Sequence, residues 1–90
     1  MVIDIEDEFR IAVSPKTLVG REVESDIVSS DDLIAVDPMH PVPAVNGMEI
    51  EPGDVLLILS HKAMSFGTDD DTYLLFPFDA VHAAIRVNPD

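Results

Sequence analysis

The sequence predicts an all-β fold, a small β-barrel of about five or six short strands, and three observations predict it. The first is Glu51-Pro52-Gly53-Asp54 running directly into Val55–Leu59. Pro52 presets φ for the second position of a tight turn, and Gly53 supplies the positive φ that a type II turn needs next. A short apolar run bounded by turn chemistry and rich in branched side chains is the pattern of a buried strand, here expected to be the central strand of the barrel. The second observation is period-two alternation near both ends. Phe9, Ile11 and Val13 alternate with Arg10, Ala12 and Ser14, while Val81, Ala83, Ile85 and Val87 alternate with His82, Ala84 and Arg86. The third is the close spacing of turn residues between the apolar runs.

Taken in order, the elements follow from local chemistry. An acidic lead precedes the first expected strand, residues 9–13, which Pro15 ends because proline cannot donate to a continuing ladder. Residues 15–32 are polar, with Gly20, three serines and five acids, interrupted only by the pairs Leu18-Val19 and Ile27-Val28. Gly20 and Val23 disfavour a helix there, so the segment reads as one long, exposed and mobile loop. Residues 33–36 form the second strand, closed by Asp37-Pro38. Between 37 and 50 lie Pro38, Pro41 and Pro43 and then Asn46-Gly47, the favoured pair for a type I′ hairpin. This reads as an irregular roof connection ending in a short hairpin. Beyond the Val55–Leu59 strand come Ser60-His61, turn signals at Gly67-Thr68 and three aspartates at 69–71. Residues 73–76 are another short apolar strand, stopped by Pro77. Asp79 is able to cap a helix over the tail, but the alternation from 81 to 87 favours a closing strand.

Ninety residues make one domain, 1–90, with a single modest core. Its 47% hydrophobic content separates it from disordered chains despite a formal net charge of −13. Five basic residues against eighteen acidic ones exclude phosphate backbones and anionic membranes as partners. The charge itself reads as solubility or adaptation to a salty host. Without cysteine there is neither a disulfide framework nor a thiolate metal site. No apolar run reaches the roughly 20 residues of a helical membrane span, and the first eight residues hold no signal-peptide core. The expected location is cytoplasmic.

Catalytic chemistry is not expected. The aspartates at 69–71 lack the alternating ligands, the glycine and the distal glutamate of a calcium loop, and read as a solvated turn. His40, His61 and His82 belong to no ligand motif and read as structural or surface histidines. No glycine-rich phosphate loop precedes a helix, and no serine sits in a nucleophile elbow. Neither a cofactor nor a metal is implied.

The order of segments resembles the GroES family of co-chaperonins, the small lids of double-ring chaperonins. Glu51-Pro52-Gly53-Asp54-Val55-Leu56-Leu57 is similar to the family's Gly-Asp strand opening. Phe66-Gly67-Thr68 is similar to its aromatic-x-Gly-Thr segment, and Tyr73-Leu74-Leu75-Phe76 to the strand that follows. Asp79-Ala80-Val81-His82-Ala83-Ala84-Ile85 looks like its closing element. Further back, Leu33-Ile34-Ala35-Val36 resembles the family's strand after the mobile loop, with Asp37 where glycine is expected. The match spans nearly the whole chain, and what carries it is the order and spacing of short motifs. Departures include a shortened roof connection and a loop without the family's glycine-flanked apolar triplet, which suggest a divergent and possibly virus-encoded member, then placed in the host cytoplasm.

The resemblance implies a GroES-like β-barrel subunit that closes into a homo-oligomeric ring, a heptamer in the family. The ring would cap a nucleotide-bound, GroEL-like chaperonin through mobile loops and assist protein folding. Either Ile27-Val28, the preferred pair, or Leu18-Val19, with Gly20 as its hinge, would be the loop anchor. Two alternatives stand beside it. Thr17-Leu18-Val19-Gly20-Arg21-Glu22 and the 51–59 stretch look like the C-terminal regulatory domain of potassium-uptake systems, a ligand-binding module whose chain normally ends soon after the Gly-Asp strand. A viral structural or decoration protein with a barrel fold is the other.

Overall fold

The computed structural model describes residues 1–5, 7, 9–24, 31–67 and 70–86. Within them the chain forms eight strands: β1 Val2–Ile5, β2 Phe9–Ala12, β3 Thr17–Glu22, β4 Leu33–Pro38, β5 Val55–Leu59, β6 Met64–Gly67, β7 Thr72–Pro77 and β8 Val81–Ile85. Short 3-10 turns at Ser60–Lys62 and Phe78–Ala80 lead into β6 and β8. The expected turns form as their residues dictate. Gly53 has φ +95° and Asp54 N–H donates to Glu51 O at 3.0 Å. Asn46 and Gly47 both take positive φ, and Val45 and Met48 exchange both backbone hydrogen bonds across them, as a type I′ hairpin requires.

The all-β prediction holds, but the sheet does not close. Six strands lie in the order β6-β7-β3-β4-β5-β8, every neighbouring pair antiparallel, and β1 and β2 form a separate hairpin. A barrel needs its two edge strands to meet, and among the described residues β6 pairs only with β7 and β8 only with β5. β5 is accordingly one strand in from an edge, and β3 and β4 are the central pair.

The second correction concerns residues 15–32. Thr17–Glu22 is strand, not loop, with Leu18, Val19 and Gly20 all buried. Leu18 faces a core with Val36, Leu56, Ile58, Leu74 and Phe76. Its neighbour Val19 points to the other side, against Ile3, Ile5 and Tyr73. Because β3 is covered on both faces, its apolar residues are adjacent rather than alternate, the pattern of a fully buried strand. Gly20 fits because the backbone crowds it: a Cβ there would lie 3.1 Å from Asp37 O and 3.3 Å from Val36 Cβ. Leu18, Val19 and Gly20 are therefore core, and are not a loop anchor. Ile27 and Val28 lie outside the described residues.

The third correction is the acidic lead, which is β1. Ile3 and Ile5 are buried while Val2 and Asp4 face out, and the β1-β2 hairpin lays this edge over β3 and β7. The second core that results also takes in Phe66 of β6, whose ring stacks on Tyr73 at 5.6 Å. β7 thus buries Tyr73 on one face and Leu74 and Phe76 on the other.

If Leu18 is core, Leu18→Ala should lower the unfolding free energy by about 2–5 kcal/mol, the range for deleting a buried leucine side chain. Urea denaturation followed by far-UV circular dichroism measures it. A loss within about 0.5 kcal/mol, typical of a surface change, would return Leu18 to a loop.

Candidate functional site

The most highly organised polar cluster among the described residues sits where the Gly-Asp turn meets the end of β8. Asp54 is 3% exposed, the one buried charged residue among the described residues. Its burial follows from its place: it is the last turn residue before β5, directed under the 49–51 segment. Arg86, immediately after β8, meets it side-on, Nε donating to Oδ1 at 2.9 Å and Nη2 to Oδ2 at 2.8 Å. Oδ2 also accepts the Glu51 backbone N–H at 2.8 Å. Nη2 of Arg86 reaches the Glu49 carbonyl at 2.7 Å, with Glu51 Oε2 at 3.5 Å. The arginine hydrogen bond, then the backbone N–H, hold the Asp54 carboxyl at about 2, below its ordinary 3.8, against the opposing effect of burial. The same bond raises the guanidinium.

Beside this cluster runs a groove of about 380 Å³ between Pro38–Val42 and Ile50–Pro52. His40 stands in its wall. Val19 N–H donates to His40 Nε2 at 2.9 Å, and His40 Nδ1 lies 2.9 Å from Pro41 O. Nε2 is thus the acceptor, which puts the ring proton on Nδ1, where it donates to Pro41. Val19 O accepts from Met39 N at 3.1 Å. The imidazole thus takes the Val19 N–H just past the end of the β3-β4 ladder, whose last pair is Gly20 with Pro38. This structural role matches the sequence reading of His40, and the other two histidines, His61 and His82, are exposed.

What these groups can do chemically is limited by how fully they are engaged. Both Asp54 oxygens are committed to donors, and a carboxyl held that acidic is not a proton donor near neutrality. Both His40 nitrogens are occupied. Among the described residues no group of three or more His, Asp or Glu side chains is placed to hold a metal ion, and no helix is long and apolar enough to cross a membrane. Of the residues singled out from the sequence, Leu18, Val19 and Gly20 are buried neighbours in β3, Val19 under the hairpin and Leu18 in the core on the other side. The Asp54-Arg86 pair was missed. Its available signal was an aspartate inside a turn that opens a wholly apolar strand, a position that demands a cation. Comparison with family models, with curated proteins and with solved structures returns no match.

The lowered Asp54 carboxyl fixes a pH dependence. Its stabilising effect is fully present above the ordinary 3.8 and is lost as pH falls through about 2. Asp54→Asn should therefore have a lower urea midpoint than the parent at neutral pH, and the gap should narrow as pH drops from about 4 to about 2. A gap that stays constant over that window would mean the ion pair does not set the acid limb.

Proposed function

We propose that the protein is a binding module of the co-chaperonin type, not an enzyme. In this reading it is a subunit of a ring-shaped lid that presents the segment between β3 and β4 to a nucleotide-bound chaperonin. The observation that carries the reading is the length of that connection. β3 and β4 are adjacent antiparallel strands, and Val23 N–H still bonds Ala35 O beyond the end of β3. Such a pair closes with about two to five residues, whereas this one is joined through residues 23–32. Long connections in small domains are where recognition segments sit. This one carries the isolated apolar pair Ile27-Val28 between Glu24-Ser25-Asp26 and Ser29-Ser30-Asp31-Asp32. With Leu18 and Val19 assigned to the core, Ile27-Val28 is the remaining anchor pair.

The run of later elements supports the same reading. A strand, a short roof hairpin at Asn46-Gly47, the Gly-Asp turn, β5, β7 and β8 follow in the order for which the resemblance was drawn. Assembly has a physical motive as well. The six-stranded sheet ends in two edges, β6 and β8, and pairing them between neighbouring copies covers backbone groups that otherwise invite association. Burying two aliphatic side chains gains roughly 1.5–3 kcal/mol each, and ordering a loop offsets part of it. One segment binds weakly. A ring of them, sevenfold by resemblance, binds through effective concentration.

Native mass spectrometry and co-sedimentation with a GroEL-type chaperonin and ADP test both parts. The parent should form a ring and pellet with the chaperonin, and Ile27→Ser with Val28→Ser should abolish pelleting while leaving ring mass and thermal midpoint unchanged. A sharp drop in the midpoint would instead make the pair core, and a monomeric parent that never pellets would overturn the reading.

A further inference from the structure

Three of the large hydrophobic side chains exposed among the described residues gather at one end of the molecule: Met64, 70% exposed, with Met1 and Phe78. They line two adjoining grooves. The larger, about 600 Å³, has Leu18 and Phe78 against walls formed by Pro15, Pro41, Pro43 and Pro77. The smaller, about 330 Å³, runs between Val13, Met64 and Leu75. Pro77 lines both and joins them.

The charge at this end is as distinctive as its apolar surface. Of the five basic residues, Arg10 is held by Asp4 at 2.6 Å, Arg86 by Asp54 at 2.8 Å, and Arg21 faces Asp37 at 3.9 Å. The other two are here. Lys16 lines the larger groove and has no acidic partner among the described residues, and Lys62 lines the smaller one. Lys62 faces Asp79 at only 3.9 Å, with that carboxylate 75% exposed, a loose and solvated pair. In a protein of net charge −13 an acidic ligand is repelled by most of the surface. At these grooves it meets two lysines against one carboxylate, Asp79, which also lines the larger groove, beside apolar walls.

We propose that the paired grooves are a docking site for an acidic linear peptide segment of a partner protein, with a large apolar side chain against Phe78 and carboxylates toward Lys16 and Lys62. An extended chain suits the site, since two adjoining grooves that share Pro77 give a peptide a path across both. The walls favour binding because proline-lined grooves are rigid before the ligand arrives, which limits the ordering cost. Two cations on so acidic a chain do not suit nucleic acid. The site uses none of residues 23–32, so it is tested separately from the chaperonin anchor, although Met64 lies on β6, an edge that ring assembly would pair.

Fluorescence polarisation on the full chain tests it, with a labelled octapeptide of alternating Glu and Leu and its Lys-for-Glu counterpart as probes. The acidic peptide should bind saturably and at least about tenfold more tightly than the basic one, and more weakly as salt is raised. Lys16→Glu combined with Lys62→Glu should weaken it by about tenfold or more, Phe78→Ser should weaken it, and Asp79→Asn should tighten it. Arg10→Glu, which changes charge at an exposed pair elsewhere, should leave affinity within about twofold. An unchanged thermal midpoint in each variant separates lost docking from lost fold. Equal binding of the two peptides, no saturation up to about 1 mM, or indifference to the double lysine change would overturn the proposal. So would sedimentation in which Phe78→Ser dissociates an oligomer of the parent, since the grooves would then pair copies of this chain.

Discussion

The bidentate pair between Asp54 and Arg86 ties the end of the last strand to the turn that opens β5. Much of the sheet depends on that tie. β8 is an edge strand with one partner, and its register on β5 shifts between Leu57 and Ile58, so its ladder alone holds it less firmly than a central strand is held. Arg86 compensates by bonding both Asp54 oxygens and the Glu49 carbonyl. The same carboxylate accepts the Glu51 N–H, so the turn and the far end of β8 share one charge. A buried aspartate without its arginine would be an uncompensated charge, which makes the two residues a unit.

The second organising feature is that the sheet has two cores and one shared layer. Leu18, Leu74 and Phe76 pack on one side of β3 and β7, and Val19 and Tyr73 on the other, under Ile3 and Ile5 of the hairpin. This adds a second, smaller core to the first, at the cost of requiring β3 and β7 to be apolar at consecutive positions.

That cost explains how much was legible in the sequence. Strands with one wet face or clean boundaries declared themselves: residues 33–36, Val55–Leu59, 73–76 and the alternating tail all appear as strands, and both glycine turns form as their dihedral preferences dictate. β3 did not, because Leu18-Val19 reads as an isolated apolar pair and Gly20 as a loop residue until Val36 and Asp37 are seen pressing on it. β1 was hidden by its acids although Ile3 and Ile5 alternate correctly, and β6 by the exposure of Met64 and Ser65 at a sheet edge. Closure into a barrel was beyond reach, since it depends on where two edges end up in space. Of the polar groups, the structural character of His40 was legible, while its bond to Val19, twenty-one positions away, and the bond from Asp54 to Arg86 join residues whose distance in sequence carries no local signature.

The strand order has a kinetic consequence. β3 is flanked by β4, which follows it closely, and by β7, whose Leu74 opposes Gly20. β5 likewise waits for β8, with Ile85 opposite Val55. β3 and β5 therefore each have one partner that lies well beyond them along the chain and is made later. Topologies dominated by such remote pairings close slowly, because loop entropy is lost before the contact is gained. During translation the β3 edge of the β3-β4 pair stays uncovered until β7 has been made, so the nascent protein passes through an association-prone interval with a central strand unsheathed.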